Sequence, residues 1–172
     1  MRFVDLLRAT VLLSLASATL LAVAAVLIAN AAGDQRLVVA AMGWWLVAGA
    51  VGAWLGRRLE PTSAVATALR EAKTTTTLPA MQQGRIMLNR LWPLLAATLV
   101  AASLALLWPQ IAAIACGFCV IWSLAWRHQE AAVTAIEERD GVTFFVASTS
   151  PVGPVKLVRT PGLRREVPQG AI

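Results

Sequence analysis

The longest uncharged stretch of the chain runs from Leu91 to Trp126, 36 residues without a charged side chain. One membrane-crossing helix takes about 20 apolar residues, so this run is too long for a single pass. Trp108-Pro109-Gln110 divides it, because proline cannot continue a helix in the ordinary way and tryptophan favours the membrane interface. Two earlier runs, Ala9–Ala32 and Leu37–Gly56, are also uncharged and are separated by a short link carrying Asp34 and Arg36. The pattern predicts an all-α membrane protein with four transmembrane helices in two hairpins. The spans lie at about 9–32, 37–56, 91–107 and 111–126. Residues 1–126 then form the transmembrane region, including a hydrophilic loop at 57–90, and residues 127–172 form a C-terminal extension. Ala29-Asn30-Ala31 has the form of a signal-peptide cleavage site. The 24-residue run before Gly33 exceeds the roughly 7–15 residues of a signal h-region, so a retained anchor is expected.

The polar segments set the topology. Loop 57–90 holds six basic residues against Glu60 and Glu71, whereas the link at 33–36 has one and the Trp108 turn none. The positive-inside rule places this loop in the cytoplasm, with both termini on the same side. Within the loop, Pro61-Thr62-Ser63 can start a short helix reaching about Lys73, with Thr62 or Ser63 as its cap. Thr74–Thr77, followed by Leu78-Pro79, reads as a solvated connector. Ala80–Arg90 reads as an amphipathic approach lying on the membrane surface. Beyond Trp126 the fourth helix is expected to continue to Gly141, a favoured residue just past a helix end. Val142–Ser148 and Val155–Thr160 are rich in strand-forming residues, and residues 149–154 supply turn chemistry, so the small cytoplasmic cap is expected to include a β-hairpin. Two strands rarely stand alone in water, so this hairpin should dock on loop 57–90, on the membrane face or on another protein. Leu163–Ile172 reads as a loose tail.

Composition agrees with the membrane reading and narrows it. Hydrophobic residues make up 58% of the 172, against about 45–50% in a soluble domain. The net charge of +6 comes from 15 basic residues, 13 of them arginine, which is the usage of a GC-rich bacterial genome. Most of these cations flank apolar spans, so lipid explains them better than nucleic acid. Arg57, Arg58, Arg85, Arg90, Arg127, Arg164 and Arg165 are the candidate headgroup contacts. No Asp, Glu, Lys, Arg or His lies inside a predicted span, which argues against a pump or proton-coupled carrier. Ser14, Ser17, Thr19, Thr98, Ser103 and Ser123 can satisfy themselves on their own helices or a neighbour. His128 is the sole histidine, so neither a bis-histidine haem site nor a histidine metal cluster fits, and no cofactor is expected. Nothing matches a phosphate-binding glycine loop or a Ser-His-Asp set. Trp54, Trp92, Trp108, Trp122 and Trp126 fall at or near span ends and form an interfacial belt. Trp44 and Trp45 lie about 11 Å into the second span at 1.5 Å per residue, where they pack in the core or against lipid, or line a groove.

One motif could carry chemistry. Cys116-Gly117-Phe118-Cys119 is a C-x-x-C on the fourth span, with the sulfurs about one turn apart. A four-helix membrane protein with C-x-x-C near its outer face resembles relatives of vitamin K epoxide reductase and DsbB-type quinone-linked oxidases. The resemblance covers this tetrapeptide and the helix count, and implies Cys116 and Cys119 as a redox pair. Those families carry a second cysteine pair on an outer loop, and this chain has no further cysteine, so a partner would have to supply it. Buried cysteine also behaves as a small hydrophobe.

Small residues recur at helical spacing: Ser14, Ala18 and Ala22; Ala48, Gly52 and Gly56; Ala97, Ala101 and Ala105. Such stripes let helices approach closely in lipid, within one bundle or between subunits. The expected function is a non-catalytic accessory or scaffold subunit of a larger complex in a bacterial inner membrane. Its partners would be the lipid bilayer and a second protein or a homo-oligomer. Gly52 and Gly56 on the second helix and Phe144, Phe145, Val155 and Leu157 in the cap are the expected contacts. The alternatives are the redox protein above and a holin-like pore lined by Ser14, Ser17 and Thr19.

Overall fold

The computed structural model describes residues 1–57, 61–74, 83–147 and 155–161. Helices are α1 (Phe3–Ala31), α2 (Gln35–Leu55), α3 (Ser63–Arg70), α4 (Gln83–Ala105), α5 (Pro109–Trp126) and α6 (Gln129–Asp140). Strands are β1 (Lys73–Thr74), β2 (Val142–Val146) and β3 (Leu157–Pro161). Four helical segments are long and apolar enough to cross a membrane: α1, α2, α4 and the one that begins with α5.

The turns between them follow from a few residues. After α1, Gly33 takes a left-handed conformation (φ +69°), and Asp34 caps α2 by accepting a hydrogen bond from Leu37 N at 3.1 Å. Pro109 is the first residue of α5, where its missing N–H costs nothing, and Trp108 precedes it in an extended conformation.

The spans pack through small side chains. α1 and α5 form the central pair, α2 lies mainly along α5, and α4 touches both α1 and α5. Ala18, Leu21 and Ala25 of α1 meet Ala112, Ala113 and Cys116 of α5 and Ala101 and Ala105 of α4 in one buried cluster. Lipid tails are as apolar as leucine, so close backbone approach supplies the packing energy here. The α2 stripe is spent on α5. A Cβ on Gly52 would lie 2.9 Å from Leu124 Cβ, and one on Gly56 would run into the Leu124 carbonyl oxygen. Ala97 departs from its stripe and is exposed, and Thr98 beside it turns inward instead.

At the far end of the bundle a second core forms the cap. Met1, Phe3, Leu6 and Leu7 at the start of the chain pack with Val65 of α3, Val133 of α6, Phe144 and Val146 of β2, and Leu157 of β3. The sheet has the order β1-β3-β2, with β1 parallel and β2 antiparallel to β3. The free edge of β2 is covered by the N-terminus: Arg2 bridges to Phe145, and Val146 N donates to the Met1 carbonyl at 3.0 Å. The expected hairpin is thus present and docks on loop 57–90 through β1. The participation of residues 1–7 was not anticipated.

Four local expectations change. Residues 83–90 do not lie along the membrane as a separate element, because they are the first turns of α4, which continues through Pro93. The fourth helix is interrupted at Arg127-His128 before α6 resumes at Gln129, and Gly141 ends α6 in a left-handed conformation as expected (φ +62°). Thr62 stands at the N-cap of α3 without a capping bond from its side chain. Instead its N–H and hydroxyl both donate to Gln129 Oε1, at 2.9 and 3.2 Å, which ties α3 to α6. Thr74 is strand rather than connector, whereas Thr75–Thr77 and the turn at 149–154 lie outside the described residues.

Candidate interfacial binding cleft

Between the two cores, at the cap end of the bundle, lies a partly open cleft of about 620 Å³. Its apolar walls come from Phe3, Leu6 and Leu7 of α1, Leu91 of α4, and Trp122 and Trp126 of α5. The two indoles stack at 5.5 Å between ring centroids with 27° between their planes. The polar lining comes from Thr10, from Ser63, Thr67 and Glu71 of the α3 segment, and from Arg90 of α4.

The local sequence explains this division. In α3, Val65 is buried in the cap core with Ala68 and Leu69 packed beside it, which leaves Ser63, Thr67 and Glu71 on a shared ridge at four-residue spacing. Thr67 Oγ1 donates to the Ser63 carbonyl at 2.9 Å, and Thr10 Oγ1 donates to the Leu6 carbonyl at 2.8 Å. A hydroxyl has one proton, so both threonines present only lone pairs to the cleft. With the Glu71 carboxylate they form an accepting surface. Arg90 supplies the opposite character, a fork of five N–H donors and a fixed positive charge.

The other buried polar groups hold elements together. Arg2 Nη2 donates to Glu137 Oε2 at 2.8 Å, with the Glu137 side chain only 5% exposed, and Phe144 N donates to Glu137 Oε1 at 2.9 Å. Inside the bundle, the Thr98 and Ser17 hydroxyls are 3.0 Å apart and link α4 to α1, and Ser14 and Ser123 bond to carbonyls of their own helices. Trp45 Nε1 donates to the Ala113 carbonyl at 2.9 Å, and Trp44 Nε1 to the Ile114 carbonyl at 3.3 Å. Trp44 fills the space beside Gly117 and meets Phe118 edge-on, so these two tryptophans clamp α2 onto α5. At the exposed end of α6, Arg139 Nε donates to Asp140 at 2.9 Å. That hydrogen bond holds the Asp140 carboxyl below the usual carboxylate range.

The candidate residues from the sequence scatter over these settings. Arg90 and Val155 line the cleft. Phe144 and Leu157 lie in the cap core, and Gly52 and Gly56 sit against α5, so all four serve contacts within the chain. Phe145 and Val155 are half-buried and remain accessible to a partner. Arg57 and Arg127 are exposed at the cap ends of α2 and α5. Arg58, Arg164 and Arg165, and the side chain of Arg85, lie outside the described residues. Cys116 is 3% exposed in the small-residue core, and Cys119 packs at its margin. Ser14 and Ser17 are buried while Thr19 is exposed, so the three do not share one face. Among the described residues no group of His, Cys, Asp and Glu could hold a metal ion. Sequence reading overlooked Thr10, Thr67 and Glu71, although the four-residue repeat Ser63-Thr67-Glu71 on a short amphipathic helix was available as a signal.

Comparison with protein-family models, with curated proteins and with solved structures gives no match.

Proposed function

We propose that this chain is a non-catalytic accessory or scaffold subunit of a larger assembly in a bacterial inner membrane, with its cap in the cytoplasm. The observation that supports this most directly is the use made of polar groups in the spans. Ser14, Ser17, Thr98, Ser123, Trp44 and Trp45 all bond to the protein's own helices or backbone, which leaves no polar path or reacting cluster among the described residues at membrane depth. A carrier or pump would place ionisable groups there. The orientation rests on charge: among the described residues Arg57, Arg70, Lys73 and Arg127 lie at the cap end, against Arg36 at the other. Phe145 and Val155, both half-buried, are the apolar cap residues that a partner would cover. The redox reading is disfavoured by the burial of Cys116, since thiol exchange needs an approaching sulfur.

The test is affinity purification of the full chain in mild detergent, with mass spectrometry of what accompanies it. A stoichiometric membrane partner, lost on Phe145→Glu, is the expected result. Recovery of this chain alone as a defined oligomer overturns the reading. A cysteine placed at Glu138, exposed on α6, should be shielded from an impermeant maleimide in intact cells, and labelling from outside would reverse the orientation.

A further inference from the structure

We propose that the interfacial cleft is a phospholipid site selective for a zwitterionic headgroup carrying a primary ammonium, that is, phosphoethanolamine. Position is the first argument. The cleft opens where α1, α4 and α5 emerge from the apolar spans, at the level of the Trp122–Trp126 stack, which is the depth of lipid headgroups. Its volume of about 620 Å³ lies within the range of sites that hold amphipathic small molecules. Leu6, Leu7, Leu91 and the two indoles offer an apolar wall to the upper part of an acyl chain.

Charge complementarity selects the headgroup. Arg90 matches a phosphate diester, whose oxygens accept from a guanidinium fork, and five donors allow it to serve the phosphate alongside another partner. In the same lining, Glu71 and the lone pairs of Thr67 and Thr10 only accept, while the Ser63 hydroxyl beside them can donate or accept. A primary ammonium has three N–H donors to satisfy such a set. A quaternary ammonium has none, and a glycerol headgroup brings no positive charge to offset Glu71. The cleft is therefore built for a ligand bearing both signs. An anionic lipid would meet Arg90 favourably and Glu71 unfavourably.

The test titrates delipidated full-length protein with dioleoyl phosphatidylethanolamine, phosphatidylglycerol and phosphatidylcholine and counts bound lipids by native mass spectrometry. Phosphatidylethanolamine should bind at least fivefold more tightly than either competitor. Glu71→Gln, at an exposed position, should remove at least threefold of that preference while leaving phosphatidylglycerol binding unchanged or stronger. Arg90→Gln should weaken phosphatidylethanolamine and phosphatidylglycerol together. Thr67→Phe, also at an exposed position, should block the cleft and lower all three. Glycerophosphoethanolamine, the same headgroup without chains, should fail to displace the lipid at equal concentration, and displacement by it would make the ligand a soluble phosphate ester instead. Equal binding of the three lipids, or a preference untouched by Glu71→Gln, overturns the proposal. So does failure of every lipid to bind. If Arg90→Gln does not fold, the Glu71 and Thr67 variants still decide the matter.

Discussion

Glu137 and Arg2 form an asymmetric pair, and the asymmetry makes a prediction. Glu137 is buried and also accepts the Phe144 N–H, whereas half of the Arg2 side chain remains exposed. Removing the arginine strands a buried carboxylate, while removing the carboxylate returns the arginine to water. Arg2→Met should therefore cost about 1.5–3 kcal/mol of cap stability. Glu137→Gln, which keeps an oxygen for the Phe144 N–H, should cost about 1 kcal/mol or less. Thermal unfolding of both variants in detergent measures the difference, and equal losses would refute the account. A second residue-scale contrast concerns the α2 glycines. Gly56→Ala drives a methyl into the Leu124 backbone, which cannot swing aside as a side chain can, and should cost about 1–3 kcal/mol. Gly49→Ala meets nothing within 4 Å and, by helix propensity alone, should be neutral or slightly stabilising. The stripe Ala48-Gly52-Gly56 was visible in the sequence because four-residue spacing marks one helical face. Spacing cannot say which helix that face meets, so the glycines were assigned to a partner when α5 occupies them.

At the scale of elements, what was legible depended on whether the signal was local. The spans and their turns came from uninterrupted apolar runs and from Pro109, Asp34 and Gly141, each of which acts on its own backbone. The β-hairpin came from β-branched and aromatic clustering in Val142–Val146 and the TSPVGP turn. What failed was continuity. Arg127-His128 breaks the fourth helix although neither residue is a breaker, since α6 turns to bury Val133 in the cap and to bring Gln129 to Thr62. Residues 83–90 join α4 although Pro93 inside it has no N–H to donate to the Asn89 carbonyl. The tryptophans of α2 show the same limit: their depth was readable, but their role as donors to α5 was not. Trp45→Phe removes the shorter of the two indole bonds and should destabilise the α2–α5 contact by about 0.6–1.7 kcal/mol, as interhelical hydrogen bonds in membranes do. Trp44→Phe removes the longer bond and should cost less in the same measurement. A larger loss for Trp44→Phe would mean that its contacts with Gly117 and Phe118 outweigh the hydrogen bond.

For the whole molecule, the least legible feature is the one that joins its two parts. α1 belongs to both cores: Phe3, Leu6 and Leu7 lie in the cap, and Ala18, Leu21 and Ala25 lie in the bundle. The apolar run of this helix invites comparison with a removable leader, because hydropathy records lipid depth and carries no trace of a β2 edge 140 residues away. Yet the first residues close that edge and form part of the apolar wall of the cleft. Deleting residues 1–7 should therefore leave the four spans inserted while the cap loosens. The loss includes the burial of Met1, Phe3, Leu6 and Leu7, at about 1.5–3 kcal/mol for each large side chain, together with the Arg2–Glu137 pair. A three-stranded sheet this small has little to set against that. Trypsin added to inverted membrane vesicles should then cut at Arg139, Lys156 and Arg159 at least tenfold faster than in the intact chain, with membrane extraction unchanged. An equal cutting rate would show that the cap stands without residues 1–7.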